Sequence, residues 1–90
     1  MFKLITNYKI KIQKIIDSKP KDTNYTTAKI FPEQWDKYSK LAVNENGKKE
    51  AAKNKRNYGR AFTNAVINNE YKNIKYTGKN KQKASTFHIF

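Results

Sequence analysis

Residues 47–69, GKKEAAKNKRNYGRAFTNAVINN, decide how the rest of the chain must be arranged. At about 100° per residue, Tyr58, Ala61, Phe62, Ala65 and Val66 fall within one arc of about 140°, which predicts a helix with an apolar face. Lys49, Lys53, Arg56 and Arg60 recur at i, i+4, i+7 and i+11, within about 60° of each other on the opposite side. A purely solvated helix surface alternates its signs, because like charges at i,i+4 cost stability. Here Glu50 is the only acid among those cations, and it projects to a flank. The stripe therefore reads as a contact for a polyanion, with a solvated charged face as the plainer alternative. Gly59, inside the helix, costs about 1 kcal/mol relative to Ala. It either lets another element approach closely or is simply tolerated.

On the N-terminal side of this helix, residues 44–47 (NENG) give a loop signal. Before them, residues 32–43 (PEQWDKYSKLAV) predict a helix opened by Pro32, with Glu33 and Asp36 near its positive end. Trp35, Tyr38, Leu41 and Ala42 would share its inner face. Residues 27–31 (TAKIF) predict one short helix capped by Thr26 or Thr27, with Ile30 and Phe31 pointing inward and Tyr25-Thr26 as a minimal strand. Residues 2–18 admit an alternating strand at Tyr8, Ile10 and Ile12. The longer match is helical, with Leu4, Ile5, Tyr8, Ile12, Ile15 and Ile16 within about 120°, leaving Phe2 and Ile10 outside the stripe. It stops at Ser18-Lys19-Pro20, since the residue before a proline avoids the helical region.

On the C-terminal side the period changes to two. Ile74 and Tyr76 alternate with Lys75 and Thr77, residues 78–82 read as a turn, and Phe87 and Ile89 share a face in residues 85–90. This predicts a β-hairpin whose tip carries Lys79, Lys81 and Lys83. Helix, minimal strand, short helices, basic helix and basic hairpin, in that order, give an α+β chain. The expected architecture is a winged helix-turn-helix with an N-terminal helix and a C-terminal hairpin wing.

Ninety residues make one domain, spanning 1–90, with room for one modest core. The formal charge is +13, from 20 Lys and Arg against 7 Asp and Glu, and it draws the protein to phosphate polymers or acidic surfaces. Residues 46–90 carry 11 of the bases and only 2 of the acids, so the binding surface is expected mainly in the second half. Lys, Asn and Ile are abundant, as in AT-rich coding sequence, so the placement of the lysines weighs more than their number. No apolar run approaches the ~18 residues of a membrane span. The first residues lack the apolar core and cleavage site of a signal peptide, so the expected location is the cytoplasm.

The segments IFPEQW (30–35), NYGRAFTNAV (57–66) and IKYTGKN (74–80) follow one another in that order. They resemble a small uncharacterised-domain family of bacterial mobile elements. Members carried by staphylococcal cassette chromosome elements are compact winged-helix proteins that bind single-stranded DNA without an OB-fold. The resemblance covers about residues 25–90, with Gly59, Phe62 and residues 75–79 at its motif positions. It implies single-stranded DNA binding in replication of the element, beside a helicase or polymerase encoded nearby.

Catalytic chemistry finds no footing in the residues themselves. His88 is the only histidine, there is no cysteine, and the acids form no spacing suited to a metal loop. Neither a P-loop nor a dinucleotide-binding glycine motif is present. The expectation is a protein that is not an enzyme and takes no cofactor, metal or small-molecule substrate. The candidate DNA-binding residues are Lys49, Lys53, Arg56, Arg60, Lys75, Tyr76, Lys79, Lys81 and Lys83. Phe31, Trp35, Tyr58, Phe62 and Phe87 read as core. Tyr76, flanked by lysines, reads either as core or as a platform on which a base stacks, and Tyr71 is open in the same way. Asn57 and Asn64 keep duplex readout open, so the residues alone leave single strand and duplex undecided. The other alternative is a basic module that docks on an acidic replication or host protein, its charge serving to steer the encounter.

Overall fold

The computed structural model describes the backbone of residues 5–90 and the side chains of residues 9–90. Helix α1 (Ile5–Asp17) is followed by strand β1 (Thr23–Thr26), then helices α2 (Thr27–Ile30), α3 (Pro32–Ser39) and α4 (Glu45–Ile67). Strands β2 (Ile74–Lys79) and β3 (Ser85–Ile89) complete an α+β architecture. The three strands form one antiparallel sheet in the order β1-β3-β2. Leu4, on the stripe expected for α1, lies outside the described residues, as do the side chains of Ile5 and Tyr8.

Local chemistry sets the boundaries. Ser18 ends α1 by donating its hydroxyl to the Ile15 carbonyl. Thr26, extended at φ −88° and ψ 166°, caps α2 by accepting from the Lys29 amide, so it is the cap of the two threonines. Phe31 then joins α2 directly to α3, whose first residue is Pro32. Helix α3 stops at Ser39, four residues short of the expected end, so Leu41 and Ala42 are exposed. Helix α4 starts two residues early, because Asn44 caps it by accepting from the Gly47 amide at 2.8 Å. Glu45 sits favourably in that first turn. At the other end Asn69 adopts φ +61°, and the Asn69 and Glu70 amides donate to the Val66 and Ala65 carbonyls. That is the left-handed closure of a Schellman motif, with asparagine in the place usually given to glycine.

The helices cover one face of the sheet. Ile74, Phe87 and Ile89 meet Ile16, Ile30, Phe31, Phe62, Val66 and Tyr71 in one buried core. Phe62 is the hub, with ring contacts to Phe31 at 4.9 Å, Phe87 at 5.0 Å and Tyr71 at 5.7 Å. Of the arc expected to face inward, Phe62 and Val66 are buried, Tyr58 and Ala65 half-buried, and Ala61 exposed. Ala51, on the same arc, is buried too, so the inner face of α4 extends toward its N-terminal end. Two polar ties hold α1 to the connection after α4. Gln13 exchanges two hydrogen bonds with the backbone of Lys72, at 2.8 and 3.0 Å, and Lys9 pairs with Glu70 at 2.7 Å.

Candidate nucleic-acid interface

The amphipathic pattern of α4 sets its first cationic surface. With Phe62 and Val66 buried, Lys49, Lys53, Arg56 and Arg60 stand exposed on the far side of the same helix. The stripe rises over three turns, about 16 Å. None of its four cations enters an ion pair among the described residues. The lysines of ion pairs are Lys9, Lys40 and Lys48, which meet Glu70, Asp36 and Glu45. Lys55, in the same helix, is committed otherwise, donating to the Ser39 hydroxyl at 2.8 Å and tying α3 to α4. Asn57 and Asn64 are exposed on the flank of the stripe. Ile67, 54% exposed, continues it by one more step.

The second surface is the β2–β3 hairpin, and its geometry differs from the expected one. Gly78 lies in β2 rather than in the turn, at φ +106°, where a bulge lets Thr77 and Gly78 together oppose Thr86. The Thr77 and Thr86 hydroxyls meet at 2.8 Å, and Thr86 donates to the Gly78 carbonyl. The extra residue flips the alternation, so Lys79 opposite Ser85 shares the face of Tyr76 opposite Phe87. Lys75, opposite His88, points to the other face. Lys75 and Tyr76 are thus sequence neighbours on opposite sides of the sheet. The turn covers residues 80–84, where the Asn80 side chain accepts from the Gln82 and Ala84 amides, and Lys83 takes φ +63°. Lys81 and Lys83 project from this braced turn and are exposed.

The two tyrosines left open by the sequence separate. Tyr71 is 9% exposed and packs on Phe62, and burial, aided by the Glu70 carboxylate, raises its phenol pKa above the ordinary 10.0. It is a core residue. Tyr76 is half-buried, its ring 5.7 Å from Phe87, at the rim of the core on the Lys79 side of the sheet. His88 sits on the outer face with its Nδ1 2.8 Å from the Asn24 side-chain Oδ1 and its Nε2 3.7 Å from an Asp22 carboxylate oxygen. Its ring lies nearly parallel to that of Phe90. No cluster of three or more acids or histidines suited to a metal ion occurs among the described residues. No helix among them is long and apolar enough to cross a membrane.

The nine candidate residues therefore fall into two groups. Four lie on one face of α4, and five lie on the hairpin, where strand alternation sets Lys75 on the face opposite Tyr76 and the bulge brings Lys79 round to the Tyr76 face. The Gln13 tie and the bulge carried no distinct sequence signal. A glutamine inside a helix and a glycine near a turn are each compatible with many roles. Compared with known protein families, with curated proteins and with solved structures, the chain matches none.

Proposed function

We propose that this chain is a non-enzymatic single-stranded-DNA-binding protein of a mobile element, winged-helix in type, cytoplasmic, and acting in replication of that element. The observation that carries the reading is the exposed stripe of Lys49, Lys53, Arg56 and Arg60, free of acidic partners among the described residues. Four like charges held on one helix face destabilise that helix unless a polyanion neutralises them. Support for the winged-helix type comes from the element order and from the sheet order β1-β3-β2, with a basic helix followed by a basic hairpin. Tyr76 and Lys79 on one sheet face combine a ring with a phosphate-binding cation, the pairing that a single strand requires.

The test is an equilibrium titration of single strand, duplex and RNA at several salt concentrations. About four to seven phosphate contacts give a slope of log K against log[salt] near −3 to −5 on a single strand. A nearly flat response would overturn the polyanion reading. Preference for duplex would favour a winged-helix regulator, for which the exposed Asn57 and Asn64 beside the stripe supply base-edge contacts.

A further inference from the structure

A second basic surface lies away from the stripe. Between α1 and the α2–α3 corner runs an open groove of about 580 Å³, within the ~300–1,000 Å³ typical of ligand sites. Its walls carry Lys11, Lys14 and Lys19 from α1 and its exit, and Lys37 from α3, against a single acid, Glu33. None of these four lysines is in an ion pair among the described residues. The floor is apolar, formed by Ile12, Ile15, Ile30, Phe31 and Pro32, with Tyr58 reaching in from α4. Tyr58 belongs to the inner arc of α4, so the groove opens on the side of that helix opposite the cationic stripe. A strand lying along the stripe leaves it uncovered.

The floor discriminates between two kinds of anion. A nucleotide base stacks on an open aromatic face. Phe31 offers none, being 4% exposed and in T-shaped contact with Tyr58 at 5.2 Å and Phe62 at 4.9 Å. The other ring in the groove, Tyr58, is itself packed against Phe31, Trp35 and Tyr38 at 5.2, 5.7 and 6.2 Å, and the remaining floor is aliphatic, which suits an inserted Leu, Ile or Phe side chain. Two helices flanking an apolar trough form the kind of groove that receives one amphipathic segment. Unneutralised lysines on both walls select acidic residues beside its apolar anchors.

We propose that this groove docks a short acidic amphipathic segment of a partner protein, on a surface separate from the nucleic-acid interface. The inference does not rest on nucleic-acid binding; peptide docking stands even if oligonucleotides fail to bind.

The probe is a labelled peptide in which Asp and Glu alternate with Leu and Phe, titrated by fluorescence anisotropy. A control peptide has Leu and Phe replaced by Ser, and an oligonucleotide is titrated in parallel. Lys14→Glu with Lys37→Glu should weaken the peptide at least about tenfold and leave the oligonucleotide within about threefold. Ala at Lys53, Arg56 and Arg60 should do the reverse. Both variants change exposed side chains, and their thermal unfolding midpoints verify the fold. The inference is overturned if the Ser-substituted peptide binds as tightly as the original. It is equally overturned if the two ligands compete for one site, or if the groove variant leaves the peptide unaffected.

Discussion

Gly47 and Gly59 both lie in α4, yet only the first has a steric reason to be glycine. A Cβ at Gly47 would collide with the Leu41 carbonyl oxygen, the close approach that lets the chain turn from α3 into α4. Gly47→Ala should therefore destabilise the protein by about 1–3 kcal/mol in denaturant titration. A Cβ at Gly59 would meet only the Thr27 hydroxyl oxygen, at an ordinary 4.0 Å. Gly59→Ala should stabilise the fold by up to about 1 kcal/mol, through helix propensity alone. Of the two readings open for Gly59 in the sequence, the structure supports toleration. Tyr71 makes a different prediction, about alkali. Its pKa is raised in the folded chain by burial and then by Glu70, so the folded state keeps the phenol proton longer than the unfolded state. That contribution to stability is whole below about pH 10 and is lost as pH rises through the folded-state value. Urea titrations between pH 9 and 11 should show a shallower alkaline decline in Tyr71→Phe than in the parent. Equal declines would mean that the Tyr71 phenol contributes nothing to it.

At the scale of the element, α4 was largely legible because two independent patterns, apolar and cationic, share one period along it. Its ends were not. Asn44 caps from within residues 44–47, a stretch that reads equally well as a loop, and the close approach of Gly47 to the Leu41 carbonyl exists only once the corner is folded. The hairpin was legible in kind, but a bulge is one extra residue and leaves alternation intact on either side of it. Replacing Lys53, Arg56 and Arg60 together by Ala should weaken single-strand binding by orders of magnitude with the fold retained, since all three are exposed and Ala is a good helix former. Circular dichroism and a binding titration on the same sample check both halves. Tyr76→Ala should lower single-strand affinity by about 1–3 kcal/mol and duplex affinity less, whereas Tyr76→Phe keeps both. Because the ring also packs on Phe87, Tyr76→Ala should melt earlier too. A lower melting temperature with an unchanged ratio of single-strand to duplex affinity would reduce Tyr76 to a core residue.

Across the whole molecule, a charge of +13 on a small body opposes its own compactness. Salt screens that repulsion over a Debye length of about 10 Å at 0.1 M. Added NaCl should therefore raise the thermal unfolding midpoint while it weakens oligonucleotide binding, and calorimetry beside a salt titration shows whether the two signs are opposite. The charge asymmetry between the halves was plain in the sequence, but the basic groove beside α1 was not. Its lysines are spread over residues 11–37 and converge only when α1 and α3 come together. The strand order β1-β3-β2 has a temporal meaning as well. During synthesis, β1 leaves the ribosome about 60 residues before the strand that pairs with it, a wait of about 3–12 s at 5–20 residues per second. Neither outer strand has a partner until residues 85–89 emerge, so a message broken before their codons yields nascent chains with no sheet, open to proteolysis.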